Sequence, residues 1–329
     1  MPRALLTWLL LFLLAMAGWF AWYAATPTGR GPFPVELHIE RGMTLRDAAI
    51  HLHRHGVIEH AFAFSLLGRL TGQSGQIKAG GYLFEASTSP WQLLRKLTQG
   101  ETLLGKITII EGWTFRQMRE ALDRHPRLRN DTKGMSDEEL LASLGIEAAH
   151  PEGLFFPDTY YFDQGSSDRA LLLRAHHQMQ QVLQDAWRNR PPGLPYKSPY
   201  EILIMASIIE KETGAPEERS LIAAVFLNRL RLGMRLQTDP SVIYGMGERF
   251  DGNLRKADLL TDTPYNTYTR VGLPPTPIAL PGAASIRAAI NPEVSRALYF
   301  VAKGDGRHHF SNTLDEHNRA VARYQRNRP

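Results

Sequence analysis

Apolar positions fall along the chain in three ways: one continuous run near the start, short stretches of alternation, and longer stretches with helical spacing. Residues 4 to 25 form an almost unbroken apolar run of about 22 residues, which as a helix rising about 1.5 Å per residue spans a hydrocarbon core of about 30 Å. Arg3 precedes the run, and Trp19, Trp22 and Tyr23 cluster at its far end in the manner of interfacial anchors. The pattern predicts an uncleaved single-pass transmembrane helix with a cytoplasmic N-terminus and residues 26 to 329 outside. A cleaved signal peptide is the competing reading, because Ala21-Trp22-Tyr23-Ala24 loosely fits a small-residue cleavage site, but its apolar core would be unusually long.

Thr26-Pro27-Thr28-Gly29-Arg30-Gly31-Pro32 reads as a linker. Val35, Leu37 and Ile39 then alternate with Glu36, His38 and Glu40, which predicts a half-buried strand. Gly42 turns the chain, Thr44 caps a helix, and Leu45, Ala48, Ala49 and Leu52 mark that helix's buried face. The same strand-turn-helix unit recurs where Ile109-Ile110-Glu111-Gly112-Trp113-Thr114-Phe115-Arg116 parallels Ile39-Glu40-Arg41-Gly42-Met43-Thr44-Leu45-Arg46. Two copies are too few for a solenoid, so they read as related small modules or one duplicated unit. Between them, Gly80-Gly81-Tyr82-Leu83-Phe84 predicts a turn and strand, and Ser89-Pro90 opens a helix carrying Trp91, Leu94 and Leu97.

Ser136-Asp137-Glu138-Glu139 is a capping box for a helix that Gly145 stops. An aromatic stretch from Glu152 to Phe162 follows, suited to sugar rings or simply to core packing. Asp168 to Trp187 reads as a long helix, and the proline-rich stretch Pro191 to Pro199 separates it from a second, mostly apolar one. That second helix ends in Glu210-Lys211-Glu212-Thr213, with Gly214 suited to a left-handed cap. A further helix from Glu217 to Leu232 is stopped by Gly233. Asp239 before Pro240 fits an N-cap, and the tract from Tyr265 to Gly282 is too rich in turn residues for regular structure.

Composition narrows the possibilities. At 329 residues with 43% hydrophobic content, the chain is long enough for two or three domains with a sizeable core. It has no cysteine, so disulfides, a lipidated cysteine, a thiol nucleophile and a zinc-thiolate site are excluded. A net charge of +5 suits work beside anionic lipid and anionic polymers. The basic residues are dispersed among acidic ones, which argues against nucleic acid as a partner.

Glu210 and Glu212 end an apolar helix, where a carboxylic acid can be held partly out of water and made fit for proton donation near neutrality. Charged residues end many helices, so a purely structural role is also open. Residues two apart on a helix lie about 200° apart, so the two acids face different surroundings. The line through Glu210 passes over Ser207, Ala206 and Leu203, and these small neighbours favour it as the cleft-facing acid. Ser-x-x-Lys, Gly-x-Ser-x-Gly, His-Glu-x-x-His and P-loop spacings are all absent. His308, His309 and His317 lack a recognised ligand spacing, so no metal is expected.

Several long motifs in one order carry a family resemblance. They are Glu152-Gly153-Leu154-Phe155-Phe156-Pro157-Asp158-Thr159-Tyr160, Ala206-Ser207-Ile208-Ile209-Glu210-Lys211-Glu212-Thr213, Asn228-Arg229-Leu230, Leu236-Gln237-Thr238-Asp239-Pro240, Tyr265-Asn266-Thr267-Tyr268 and Gly272-Leu273-Pro274-Pro275. Together they resemble the endolytic murein transglycosylase family MltG, also called YceG-like, over essentially the whole chain. The stretch from Val35 to about Leu103 resembles the family's LysM-like part less sharply.

The resemblance implies an α+β fold: a cytoplasmic tip and transmembrane helix over 1–25, a linker over 26–33, a LysM-like module over 34–103 and a catalytic domain over 104–329. It implies a lytic transglycosylase in the bacterial inner membrane, facing the periplasm. The enzyme would cleave peptidoglycan between N-acetylmuramic acid and N-acetylglucosamine within strands, leave 1,6-anhydromuramic ends and terminate nascent strand elongation. Glu210 is the implied catalytic acid. Gln237, Thr238, Asp239, Tyr244, Tyr265, Asn266, Thr267 and Tyr268 are the candidate sugar-facing residues, each equally able to cap or pack. Glu212, Ser207 and Asn228 are candidates for supporting the acid from behind. No cofactor is implied. The partners would be glycan strands, membrane lipid through residues 4–25, and cell-wall synthesis proteins including penicillin-binding proteins. A noncatalytic peptidoglycan-binding scaffold and a hydrolytic muramidase are the alternatives.

Overall fold

The computed structural model describes residues 2–31, 33, 35–84, 86–100 and 104–326. Linker position 32, the expected module edges at 34 and 101–103, and positions 1, 85 and 327–329 lie outside the described residues. The architecture is mixed α+β, with one long N-terminal apolar helix and, among the described residues, three two-stranded sheets. The chain divides into two compact units: Met1–Lys106 with Tyr161–Ser166, and Ile107–Tyr160 with Ser167–Pro329.

The first unit holds α1 (Pro2–Ala25), β1 (Val35–Ile39), α2 (Leu45–Arg54), α3 (Ala61–Leu70), β2 (Gly80–Phe84) and α4 (Pro90–Gln99). From Leu6 onward α1 is long and apolar enough to cross a membrane, and its apolar side chains are largely exposed. Its end is different: Tyr23 is buried and donates its hydroxyl to His60 O at 3.2 Å, while Phe20 and Ala24 rest on the unit's core. β1 and β2 pair antiparallel, with Leu37 opposite Tyr82. The alternation in β1 puts Leu37 and Ile39 on the side of α2, whose Leu45, Ala48, Ala49 and Leu52 join Phe64, Leu67, Leu93, Leu94 and Leu97 in one core. α3 went unread in the sequence because its apolar residues 61–64 run consecutively and hide the helical period.

β3 (Leu104–Thr108) pairs with β4 (Thr159–Asp163). The second unit otherwise holds α5 (Phe115–Asp123), α6 (Asp137–Leu144), α7 (Asp168–Arg188), α8 (Pro199–Glu212), α9 (Arg219–Arg231), α10 (Asp239–Met246), α11 (Lys256–Leu260), α12 (Ala283–Ile290), the hairpin of β5 (Tyr299–Ala302) and β6 (His308–Ser311), and α13 (Leu314–Val321). α8 is apolar all round, and all eight residues from Ile202 to Ile209 are buried. A helix without a polar face must be covered on every side, and here α7, α9, α10 and α12 pack around it. At roughly 1.5–3 kcal/mol per large apolar side chain, burial of this helix stabilises the unit strongly.

The repeated strand-turn-helix segments have the same local geometry. Thr44 and Thr114 sit at φ −77°, ψ 161° and φ −79°, ψ 160°, and each accepts the backbone N–H three residues on in a reciprocal capping box. Gly42 and Gly112 both take the left-handed backbone that the preceding turn requires, at φ 86° and 79°. Two expected caps differ. α8 does not end on a left-handed Gly214; Thr213 turns extended and its hydroxyl accepts the Ala215 N–H at 2.9 Å. Thr238 rather than Asp239 holds the N-cap position of α10, which moves Asp239 into the first turn with Pro240. The predicted helix from Glu217 begins instead as a single 3-10 turn, Pro216–Glu218, before α9.

Asp168 shows how local chemistry locks this unit. Fully buried at the start of α7, it accepts the N–H groups of Asp131 and Thr132 and the Thr132 hydroxyl, at 3.0, 3.2 and 2.6 Å. Asp168→Ala leaves these donors without their acceptor and should lower stability by about 2–4 kcal/mol, measured by denaturant unfolding of the full-length protein in detergent.

Candidate active site

Three carboxylates of the second unit, none of them on an open surface, organise its possible chemistry: Glu210, Glu212 and Glu152. The first two leave α8 on different sides, as their spacing requires.

Glu210 faces the segment 278–282, and hydrogen bonds from two directions hold that segment in place. Ser207, one turn before Glu210 and fully buried, accepts the Ile278 N–H at 3.0 Å. The turn after β3 supplies the rest, with Gly112 N–H to Leu280 O at 2.8 Å and Leu280 N–H to Trp113 O at 2.7 Å. So held, Gly282 directs its N–H to Glu210 Oε2 at 3.0 Å. Arg219 reaches the other carboxylate oxygen at 3.7 Å, and the two side chains are only 15% and 6% exposed. Arg219 Nε is buried and, among the described residues, has no hydrogen-bond partner. Lys211 turns away and bonds Gly112 O at 3.2 Å.

Glu111 completes this group, and sequence reading gave it no role. Burial and the nearby Glu210 carboxylate push its carboxyl above the usual range, with Arg219 pulling it back. The repeat alignment placed Glu111 beside Gly112, but nothing in the spacing showed that residue 282 would come to meet it.

A family model for the YceG-like family matches residues 37–323. The chain belongs to the YceG-like family. It is 33% identical over 312 residues to a Bacillus subtilis protein named endolytic murein transglycosylase, covering 88% of this chain and 84% of that one. A Streptococcus pneumoniae protein of the same name is 29% identical over 327 residues, covering 88% of this chain and 58% of that longer protein. The crystal structure of a YceG-like protein from Listeria monocytogenes superposes with a TM-score of 0.56 at 33% identity, covering 87% of this chain and 98% of that one.

In this YceG-like chain several of the other motif residues line cavities beside the remaining two carboxylates. Glu212 lines a cavity of about 550 Å³ with Gln237, Asp239, Tyr268, Arg229, Tyr299 and His317. Burial pushes Glu212 up to about 7, with Asp239 adding to the rise and the Thr238 hydroxyl and Arg229 opposing it. Tyr268 donates its hydroxyl to Asp239. Gln237 stands at φ 51°, the single non-glycine residue in the left-handed region among those described, and accepts from Arg229 at 3.1 Å.

Glu152 lines a larger cavity, about 1000 Å³, with Tyr244, Tyr265, Phe115, Phe250, Arg116 and Lys211. Phe115 N–H and the Tyr244 hydroxyl donate to its two oxygens at 2.9 and 3.1 Å, and Tyr244 and Tyr265 meet edge to face at 4.9 Å. Burial pushes Glu152 up to about 7 against both donors. Sequence reading met Glu152 only as the first letter of a motif; its isolation among apolar residues was the available signal.

Several expected residues pin the backbone. Asn266 is fully buried and donates to the carbonyls of Asp258, Leu259 and Thr261, closing α11. The Thr267 hydroxyl accepts the Thr238 N–H at 3.0 Å and bonds Ser241, tying the 237–241 segment to its own. Ser207 acts on Glu210 through the 278–282 segment, whereas Asn228 donates to the carbonyls of Ser295 and Ala297. His308 bonds Glu218 at 2.7 Å, His309 packs on Tyr324 and His317 stacks on Tyr299, so the three histidines do not converge.

Glu152 has a measurable consequence for stability. Its folded pKa near 7 lies above the ordinary 4.5, so the folded state binds more protons between those values and stability falls as pH rises through that window. Glu152→Gln should remove this part of the slope, about 1–3 kcal/mol between pH 4.5 and 7, read from unfolding midpoints at stepped pH.

Proposed function

We propose that this protein is a lytic transglycosylase, anchored by α1, that cuts peptidoglycan within its glycan strands between N-acetylmuramic acid and N-acetylglucosamine. The observation that carries the reading is the Glu210 carboxylate, nearly enclosed, with one oxygen on the Gly282 N–H and the other beside Arg219. Membership of the YceG-like family and relatives named endolytic murein transglycosylases give it its substrate class.

In this mechanism protonated Glu210 donates to the glycosidic oxygen as the bond to the muramic anomeric carbon breaks. The Glu210 carboxylate then accepts the proton of the muramic 6-hydroxyl, whose oxygen bonds to that same carbon. The glutamate ends as it began, no water is consumed, and the product carries a 1,6-anhydro ring. An ordinary retaining or inverting glycosidase needs a second carboxylate as nucleophile or as water-activating base. Here the substrate's own tethered hydroxyl takes that role, with the rate advantage of an intramolecular reaction. Arg219 and the Gly282 N–H stabilise the Glu210 carboxylate between the two transfers.

Sugar rings would be held by Tyr244, Tyr265 and Phe115 in the larger cavity and by Gln237, Asp239 and Tyr268 in the smaller one. The order β1, α2, α3, β2 supports reading the first unit's core as a LysM-like glycan grip. The length and exposure of α1 support a single-pass anchor, and Arg3 before it with Trp19, Trp22 and Tyr23 towards its far end supports a cytoplasmic N-terminus and a periplasmic catalytic unit. Cutting nascent strands there would end their elongation and bring the enzyme beside penicillin-binding proteins.

One observation favours a different acid in the same reaction: Glu212, pushed up to about 7, is the one that shares a cavity with Asp239 and Tyr268. Glu210→Gln and Glu212→Gln, assayed as full-length protein on purified glycan strands, separate the two. Glu210→Gln should lose about 10²–10⁴-fold in kcat with its unfolding midpoint unchanged, while Glu212→Gln keeps measurable turnover. The opposite result assigns the acid to Glu212. Product mass decides the reaction class, since products carrying one added water mean hydrolysis and would sink the lytic reading.

A further inference from the structure

The end of α1 is tied to the loop between α2 and α3, and that tie fixes where one face of the first unit lies. The Tyr23 hydroxyl donates to His60 O, and the two rings lie 6.2 Å apart. Farther on, the backbone N–H groups of Arg30 and Gly31 both reach Gly56 O at 3.0 Å, and the Arg30 guanidinium pairs with Glu59. A β-carbon built on Gly29 would lie 2.6 Å from Val57 O, and one on Gly31 2.8 Å from His55 O. Residues 29–31 of the expected linker are thus held against residues 55–59.

The same contact sets a depth. Phe20 and Ala24 rest on the unit's core and Tyr23 is buried, while Trp19 and Trp22 on the same turns of α1 are exposed. Amphipathic aromatic rings at the end of an apolar span sit at headgroup level. The unit therefore meets α1 at the level of a bilayer surface, and α3 starts there, just after His60.

The exposed line of α3 is apolar. Phe62 is 80% exposed, and Leu66 and Leu70 follow at four-residue spacing on the same face. Phe62 and Leu66 line a groove of about 400 Å³ with Ile50, Arg46 and Arg69. Gly68 packs on the Leu45 side chain, which sets the start of α2 beside the end of α3. Arg46 and Arg69 consequently share one end of the groove, and Phe62 stands towards the other, near His60. Such a face suits the boundary of a leaflet, with acyl carbon for the ring and phosphate for the guanidiniums.

We propose that the Phe62 face of α3, with Ile50, Arg46 and Arg69, docks on phospholipid at the bilayer surface where α1 emerges. The apolar side chains enter the acyl boundary and the two arginines pair with headgroup phosphates. This second hold keeps the first unit from turning about its anchor. The inference rests on α1 being a membrane span.

The chain has no cysteine, so introduced single cysteines each report one position. Leu11→Cys, Phe62→Cys and Gln76→Cys, made in the full-length protein, are spin-labelled and reconstituted in vesicles of phosphatidylcholine with phosphatidylglycerol. Collisions of each label with oxygen and with a water-soluble nickel complex give its depth. Leu11 is exposed within α1 and reports the span; Gln76 is exposed on the loop beyond α3 and is the water reference. The oxygen-to-nickel ratio at Phe62 should exceed that at Gln76 about tenfold, as expected of a side chain at the acyl boundary. Adding Arg46→Gln and Arg69→Gln to the Phe62→Cys chain should lower that ratio about threefold, by removing the attraction to anionic lipid. Equal ratios at Phe62 and Gln76 beside a lipid-embedded Leu11 overturn the docking and leave the anchor standing, whereas a Leu11 label in water removes the anchor reading itself. Nickel exclusion at Phe62 that appears only when glycan strands are added assigns the face to glycan and overturns the proposal. Spin–spin broadening there that fades on dilution with unlabelled protein assigns it to a second copy and does the same. An unchanged ratio in the double arginine variant overturns the part given to the arginines.

Discussion

The second unit depends on satisfying the backbone of one buried irregular segment. Residues 278–280 are almost wholly enclosed, and a buried chain without helix or sheet must find partners for its N–H and C=O groups elsewhere. α8 supplies one through the Ser207 hydroxyl, and the turn after β3 supplies two through Gly112 and Trp113. Those bonds set the position of Gly282, and Gly282 sets the surroundings of Glu210. Packing, backbone satisfaction and the proposed chemistry are therefore one arrangement.

Arg229 has a similar role on the opposite side of α8. Its guanidinium is buried and donates to the carbonyls of Leu298, Arg235 and Leu236 and to the Gln237 side chain. These bonds join α9 to the segment before α10 and hold Gln237 in its left-handed conformation next to Glu212. The strained backbone is over-determined by its neighbours, as such residues must be to persist. Two sides of one apolar helix thus present two differently served acids, one beside an arginine and a backbone N–H, the other in a cavity of tyrosines and a second carboxylate.

Local features were legible in the sequence wherever short-range chemistry governs. The capping box expected at Ser136 forms, and Thr44 and Ser89, expected to start helices, and Thr114, met only in the repeated segment, close the same box, because a hydroxyl three residues before a carboxylate or amide needs only a helical turn to close. The separation of Glu210 from Glu212 followed from helix pitch alone. Caps that depend on what comes next in space were misread: Gly214 and Asp239 sit where turn chemistry suits them, but the chain beyond follows tertiary contacts instead. Among the expected sugar-facing residues, Asn266 and Thr267 proved to hold backbone, since polar residues in long loops serve the loop's own hydrogen bonds as readily as a ligand.

By itself, the sequence determined the apolar N-terminal helix, the two strand-turn-helix segments, an all-apolar α8 that had to become the centre of a unit, and the ordered motifs that carry the family. These rest on composition and on spacings of a few residues. Only the tertiary structure decided that Glu111, Glu210, Arg219 and Gly282 meet, that Glu152 and Glu212 occupy separate cavities, and which motif residues face open space. Those groups are brought together from positions up to 171 residues apart, as from Glu111 to Gly282. No local periodicity encodes such a meeting, because it depends on how an irregular backbone segment finds its hydrogen bonds between a helix and a turn.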